Sequence, residues 1–298
     1  MASDLPTSQP NGITPEMSSD DLERRMKIEL RDIGIPPRPV ILTQIDEEMA
    51  KDEPDFLHLA RLLGQDVGLA AGMIKVANSP YFGLAKKVPT VQEALLVLGL
   101  KLTIKTVAGL ALQQVFKHVP NMERFWDASA RIAETAAMIA RDHGNGDRIR
   151  PEDAHTFALF RDCGIPMLMI PFPEYREVLA KANGEAELAF TTVEDRAIGL
   201  NHAQLGTQLA EDWLLPEDIC LAISHHHEHA ALLGEVDIPA RSRRMIAIAQ
   251  LAEHLVQAQS GQSQTREWDK LGDACLSCLN LSPDDLPELA KTCVLPAT

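Results

Sequence analysis

Asp162, His202, His226 and His227 are the residues of this chain whose types suit metal chemistry. Asp162 is a lone carboxylate inside an apolar run from Thr156 to Ile170. The histidines lie far along the chain, with His225 and His229 flanking the last two. A divalent ion doing phosphoester chemistry needs several nitrogen and oxygen ligands and an open position for a water, whose pKa it lowers. Helices suit that task, because ligands from several of them can project into a bundle core. Spacing alone leaves a plainer reading open, in which His202 is a hydrogen-bonded core histidine and 225–229 is a solvated helix end.

Position 161 weighs against a working centre. Where a histidine would complete an adjacent His-Asp pair, the chain has Arg161. A guanidinium fixed about 4 Å from a divalent ion is repelled by several kcal/mol even at an effective dielectric of ~20. Arginine cannot shed its proton to become a ligand. Its side chain either turns to solvent or anchors a phosphate or carboxylate, since its planar fork pairs bidentately with oxyanions.

Three further stretches stand out. In Ala77-Asn78-Ser79-Pro80-Tyr81-Phe82-Gly83, Asn78 is expected to close a helix in the left-handed conformation. Pro80 blocks continuation, and Tyr81 with Phe82 staples the turn to the core or meets a partner. Arg241-Ser242-Arg243-Arg244 is a basic run on an acidic chain, read as a solvated first turn or as a dock for an anionic partner or nucleotide. Cys275 and Cys278 form a C-x-x-C with no second pair, and read as ordinary buried thiols. Walker and dinucleotide phosphate loops and Gly-x-Ser-x-Gly are absent.

The elements that must position these residues are helical. Asp20 with Glu23 and Thr90 with Glu93 are capping pairs, and helical segments are expected at 20–33, 39–51, 55–64, 66–77, 90–98, 100–117, 121–143, 151–163, 173–183, 192–213, 216–227, 240–260, 266–280 and 283–292. No strand alternation of convincing length occurs, so the fold class is all-α. The polar residues 1–17 read as a disordered leader, neither signal peptide nor membrane anchor. Boundaries are expected at Val119-Pro120-Asn121 and at the turn Gly144-Asn145-Gly146-Asp147.

Hydrophobic content of 45% and charged content of 24% are globular values. The net charge of −15 argues against a nucleic-acid binder, which needs a phosphate-neutralising face. Five scattered cysteines fit a reducing compartment. No apolar run approaches the roughly 20 residues of a membrane span, so a cytoplasmic location without membrane contact is expected.

Taken together these stretches resemble the HDOD family, a bacterial signalling module related to the HD and HD-GYP metal phosphohydrolases. The likeness begins at Ile35-Pro36-Pro37-Arg38 and includes Asp66-Val67-Gly68-Leu69, Asn78-Ser79-Pro80-Tyr81-Phe82-Gly83 and Val91-Gln92-Glu93-Ala94. It continues through Phe125-Trp126-Asp127-Ala128-Ser129, His202-Ala203-Gln204-Leu205-Gly206, Trp213-Leu214-Leu215-Pro216 and Ala222-Ile223 with His226-His227. It implies a helical N-terminal subdomain (18–119) packed on an HD-like subdomain (120–298). It places the catalytic relatives' metal residues at Ala128, at Arg161 and Asp162, at His202, His226 and His227, and at Gln250. Ala128, Arg161 and Gln250 fail as ligands.

The resemblance therefore implies a non-catalytic signalling or scaffold module that binds a partner protein or a small anionic ligand, with Arg161, Asp162, His202, His226 and His227 lining the site. No cofactor is expected. The alternatives are a residual metal-dependent phosphodiesterase and an inert sensor, each holding a divalent transition metal through Asp162, His202, His226 and His227.

Overall fold

A computed structural model describes residues 33–143 and 149–293. The leader, the expected first helix up to residue 32 and the 144–147 turn lie outside the described residues. Among those residues every regular element is a helix. In chain order they are α1 (Val40–Met49), α2 (Phe56–Gly64), α3 (Val67–Ala77), α4 (Val91–Val115), α5 (Glu123–His143), α6 (Pro151–Phe160), α7 (Gly164–Leu168) and α8 (Tyr175–Gly184). These are followed by α9 (Phe190–Ile198), α10 (His202–Asp212), α11 (Glu217–His225), α12 (His229–Leu233), α13 (Ala240–Ser260), α14 (Glu267–Leu279) and α15 (Leu286–Cys293).

Local chemistry sets many of these boundaries. The Asp55 and Asp66 carboxylates accept from backbone N–H groups at the starts of α2 and α3, and the Thr90 hydroxyl accepts from Glu93 N–H at the start of α4. The segments expected at 90–98 and 100–117 abut as one run, broken at Gly99 (φ 67°, ψ 169°). Val91–Val115 is, against expectation, long and apolar enough by composition to cross a membrane. Half of that apolar window is buried inside the fold, where Leu95, Val107 and Leu112 join the core.

Four expectations need correction. The helix expected at 192–213 is two, because Gly199 stops α9 in the left-handed conformation (φ 82°) and Asn201 starts α10 by accepting from Gln204 N–H. The segment 151–163 is helical only to Phe160, and the short helices α7 and α12 were not foreseen. Asn78 is not left-handed (φ −89°); its side-chain amide instead brackets Val88, bonding both the carbonyl and the N–H at 2.8 Å. The 241–244 run is not a solvated turn. Arg244 is buried on the carbonyls of Cys278 and His143, and Ser242 on that of Asp218.

One apolar core runs through the molecule, from Leu42 and Leu63 near the start to Ile248, Leu255 and Leu279. Helix α13 is its spine and packs against α5, α6, α11 and α14. Trp213 reaches across the fold, donating from its indole N–H to the Pro36 carbonyl (3.0 Å). The Arg38 Nε returns a bond to the Trp213 carbonyl (3.0 Å).

Candidate metal centre

Helix α6 ends at Phe160, and Arg161-Asp162-Cys163 form the turn into α7. That turn lies directly on the start of α10. A Cβ built on Gly164 would sit 2.1 Å from the His202 carbonyl oxygen, so only glycine allows the approach. Cys163 is buried against the Gly206 carbonyl (3.7 Å). The close packing brings Asp162 beside His202, the first residue of α10. His226 and His227 follow the end of α11 and complete the group.

The four side chains converge. One ligand atom from each of Asp162, His202, His226 and His227 lies within 4.8 Å of every other. His202 Nε2 is 3.2 Å from both His226 Nε2 and His227 Nε2. Asp162 Oδ1 is 3.3 Å from His226 Nε2 and 3.6 Å from His202 Nε2. The histidines are almost wholly buried, and the Phe190 ring stacks on His227 with centroids 4.8 Å apart.

The outer nitrogens fix the tautomers. His202 Nδ1 faces Glu194 Oε2 (2.7 Å), His226 Nδ1 the Ile223 carbonyl (2.7 Å) and His227 Nδ1 Glu267 Oε2 (2.6 Å). A carbonyl or carboxylate only accepts, so each Nδ1 carries the proton and donates it. Tyr175 donates its hydroxyl to the other oxygen of Glu194, and Lys270 pairs with Glu267. An inner Nε2 left unprotonated presents a lone pair beside Asp162 Oδ1, and either a proton on one ring or a bound cation satisfies the group.

Burial pushes the His226 imidazole down to about 3, helped by the neighbouring His227, so this ring stays neutral. Burial would also depress His202, but the Glu194, Asp162 and Glu267 carboxylates together outweigh it and raise that group, so this ring takes a proton more readily than a free imidazole. Asp162 is held below its ordinary value despite burial, chiefly by Arg161. Glu267 is likewise held down at about 2 against burial, by His227 and Lys270.

The residues present fit one divalent ion. Nitrogen and oxygen bonds of roughly 2.0–2.1 Å at tetrahedral angles put ligand atoms about 3.3 Å apart, close to the shorter separations here. All pairs lie within 4.8 Å, so the widest would have to close by up to about 1.5 Å to reach that spacing. Imidazole with carboxylate suits zinc, iron, manganese, nickel or cobalt. Outer partners of this kind orient metal-binding histidines and raise their basicity.

Arg161 neither turns to solvent nor offers a free fork. It is 2% exposed, with Nε on Asp162 Oδ2 (3.1 Å) and Nη2 on Glu253 Oε2 (2.9 Å). Asp162 thus stands between the guanidinium and the histidines, one oxygen to each side. The Gln250 amide donates to the His226 carbonyl (3.0 Å) and supports the turn. Ala128 lines a cavity of about 330 Å³ that reaches Arg161, Asp162, His227, Glu253 and Glu267. His225 pairs with Glu228 (3.0 Å), and His229 starts α12; neither joins the cluster. Sequence reasoning missed Glu194, Glu267, Tyr175 and Glu253. Glu194 was hidden inside an expected continuous helix, and the other three carried no signal in spacing.

Fold and cluster define an all-α domain with a histidine–carboxylate centre in its interior. The chain belongs to the HDOD domain family, whose model matches residues 35–229. Glu253 and Glu267 lie beyond that match. An uncharacterised protein of Treponema pallidum (strain Nichols) is 25% identical over 197 residues, 65% of this chain and 37% of that protein, so the likeness spans little over a third of the relative. An HDOD domain protein of unknown function from Geobacter sulfurreducens superposes with TM-score 0.60 at 22% identity, covering 90% of this chain and 99% of that one. A candidate phosphohydrolase from Shewanella amazonensis SB2B gives 0.63 at 18%, covering 90% and 92%. A candidate signal transduction protein from Marinobacter aquaeolei VT8 gives 0.61 at 20%, covering 92% and 64%. At these identities the likeness is one of fold.

Proposed function

We propose that this chain is a signalling module that holds one divalent transition metal through Asp162, His202, His226 and His227, and acts through a partner protein rather than by hydrolysis. The convergence of three buried Nε2 atoms and a carboxylate oxygen, all within 4.8 Å of one another, carries this reading. A cation fits the site better than an anion. Asp162, Glu194, Glu253 and Glu267 outnumber Arg161 and Lys270, and the Arg161 fork is already spent on two carboxylates.

The same arginine argues against hydrolysis. Two-metal phosphodiester cleavage clamps the attacking and leaving oxygens between two ions. Here the second oxygen of Asp162 is bound by a guanidinium, and Gln250 and Ala128 supply no carboxylate or imidazole. When bound, the metal would cross-link the turn before α7, the start of α10 and the turn after α11. The cavity keeps a second reading alive, that of a mononuclear phosphohydrolase.

The test is elemental analysis of protein expressed in metal-supplemented medium, with a phosphodiesterase assay on the loaded protein. We expect about one metal per chain by the four-ligand count, lost in Asp162→Ala and His202→Ala, and no turnover. Protein free of transition metal overturns the proposal. Turnover abolished by Asp162→Ala replaces it with the hydrolase reading.

A further inference from the structure

An open pocket of about 510 Å³ lies where α1 and α4 meet α6, the turn between α10 and α11, and the start of α13. It is apart from the metal centre and shares none of its residues. Arg38, Lys101, Lys105, Arg150 and Arg241 line it against three carboxylates. Those carboxylates brace three of the cations: Asp46 holds Arg38, Asp153 holds Lys105 and Arg241, and Asp218 also holds Arg241. Lys101 and Arg150 are exposed and pair with no carboxylate among the described residues.

The wider charge distribution sharpens this. Residues 33–119 carry nine basic side chains against eight acidic, whereas 120–298 carry 15 against 28. The pocket sits at the border of the one region that is not strongly acidic. Helices α6, α11 and α13 also begin at its wall, bringing Arg150, Pro216 and Arg241 to the lining. None of the three has an N-cap side chain bonded to its first turn. Their ends add partial positive charge, offset in the first turns of α6 and α11 by Glu152, Asp153, Glu217 and Asp218.

A different kind of observation comes from Leu214, at the pocket's edge. Helix α10 closes with a bond from Leu215 N–H to the Ala210 carbonyl (2.9 Å), which puts Leu214 in the left-handed conformation (φ 61°). Glycine or asparagine belongs there. The other helices with left-handed ends here use Gly199, Gly234, Gly261 and Asn280. Leu214 is strained and 73% exposed, so it stabilises neither turn nor core. What it does is extend the apolar side of the pocket formed by Leu42, Ile104 and Leu215. Strained residues of this kind gather at ligand clamps.

We propose that this pocket binds a nucleoside phosphate. Cations and helix starts from several elements suit a multivalent phosphoryl group, placed between Lys101 and Arg150. The apolar side with Leu214 takes the nucleoside. The volume lies within the usual range for small-molecule sites.

Calorimetric titration of the full chain as purified, at low salt and with no added divalent metal, provides the test. ADP and inorganic pyrophosphate are the two probes. ADP is expected to bind more tightly than pyrophosphate. Lys101→Glu and Arg150→Glu, both at exposed positions, should each weaken both probes about tenfold or more. Leu214→Gly relieves strain, so its Tm should hold or rise while ADP affinity alone falls. No binding of either probe at about 1 mM overturns the proposal. So does binding that survives both charge reversals, and so does equal affinity for the two probes.

Discussion

Replacing Gly164 with alanine tests the contact on which the whole site rests. The new methyl carbon would lie 2.1 Å from the His202 carbonyl oxygen, 2.8 Å from its carbon and 2.9 Å from Cα. Ordinary contact begins near 3.4 Å, so the two chains must part by more than an ångström. All three obstacles are backbone, and no rotamer change relieves them. Overpacking commonly costs about 1–3 kcal/mol and more when the backbone must move. We therefore expect a loss of about 3 kcal/mol or more, read by urea unfolding, and a Tm lowered by roughly 6–12 °C for a chain of this size. The same displacement parts Asp162 from His202, now 3.6 Å apart. A site must be held to within about 0.5 Å, so metal retained through purification should fall well below one per chain. Gly184→Ala is the control, because a Cβ there meets nothing within 4 Å. A Gly164→Ala protein that unfolds within about 0.5 kcal/mol of the parent and keeps its metal would refute the reasoning.

Arg161→Met should destabilise the fold by about 3–5 kcal/mol in chemical denaturation, since it strands the Glu253 carboxylate in the interior; a neutral result would show that Glu253 is protonated without the arginine. Glu267→Ala removes the acceptor that fixes the His227 tautomer and should weaken metal affinity about 10–100-fold in a competition assay; unchanged affinity would remove His227 from the ligand set. Burial, aided by Lys105, pushes the His155 imidazole down to about 4, so between about pH 6.5 and 4 the unfolded chain binds a proton the folded chain refuses. Stability from this group is full above about pH 6.5 and is lost as pH falls, by up to roughly 1.4 kcal/mol per pH unit. His155→Phe should flatten that slope in urea unfolding across the same window, and an unaltered slope would show His155 charged in the fold.

Much of the architecture was legible because helices carry local signals. Asp55, Asp66 and Thr90 mark helix starts by chemistry within three residues, and apolar periodicity marks the buried faces. The break before His202 was legible too, in Gly199 and Asn201, but apolar period on both sides masked it. Short helices such as α7 are beyond local reading, because tertiary packing rather than propensity holds five residues helical.

The sequence by itself determined the all-α class, the presence of Asp162, His202, His226 and His227, and the arginine beside the aspartate. It did not determine what those residues face. The tertiary structure decided that the three Nδ1 atoms face Glu194, the Ile223 carbonyl and Glu267, turning three Nε2 atoms towards one point. It also decided that Arg161 is neutralised by Glu253, a partner 92 residues along the chain. Helical period reports which face a residue takes. Hydrogen-bond direction and charge pairing depend on atoms brought together from distant helices, and only packing supplies them.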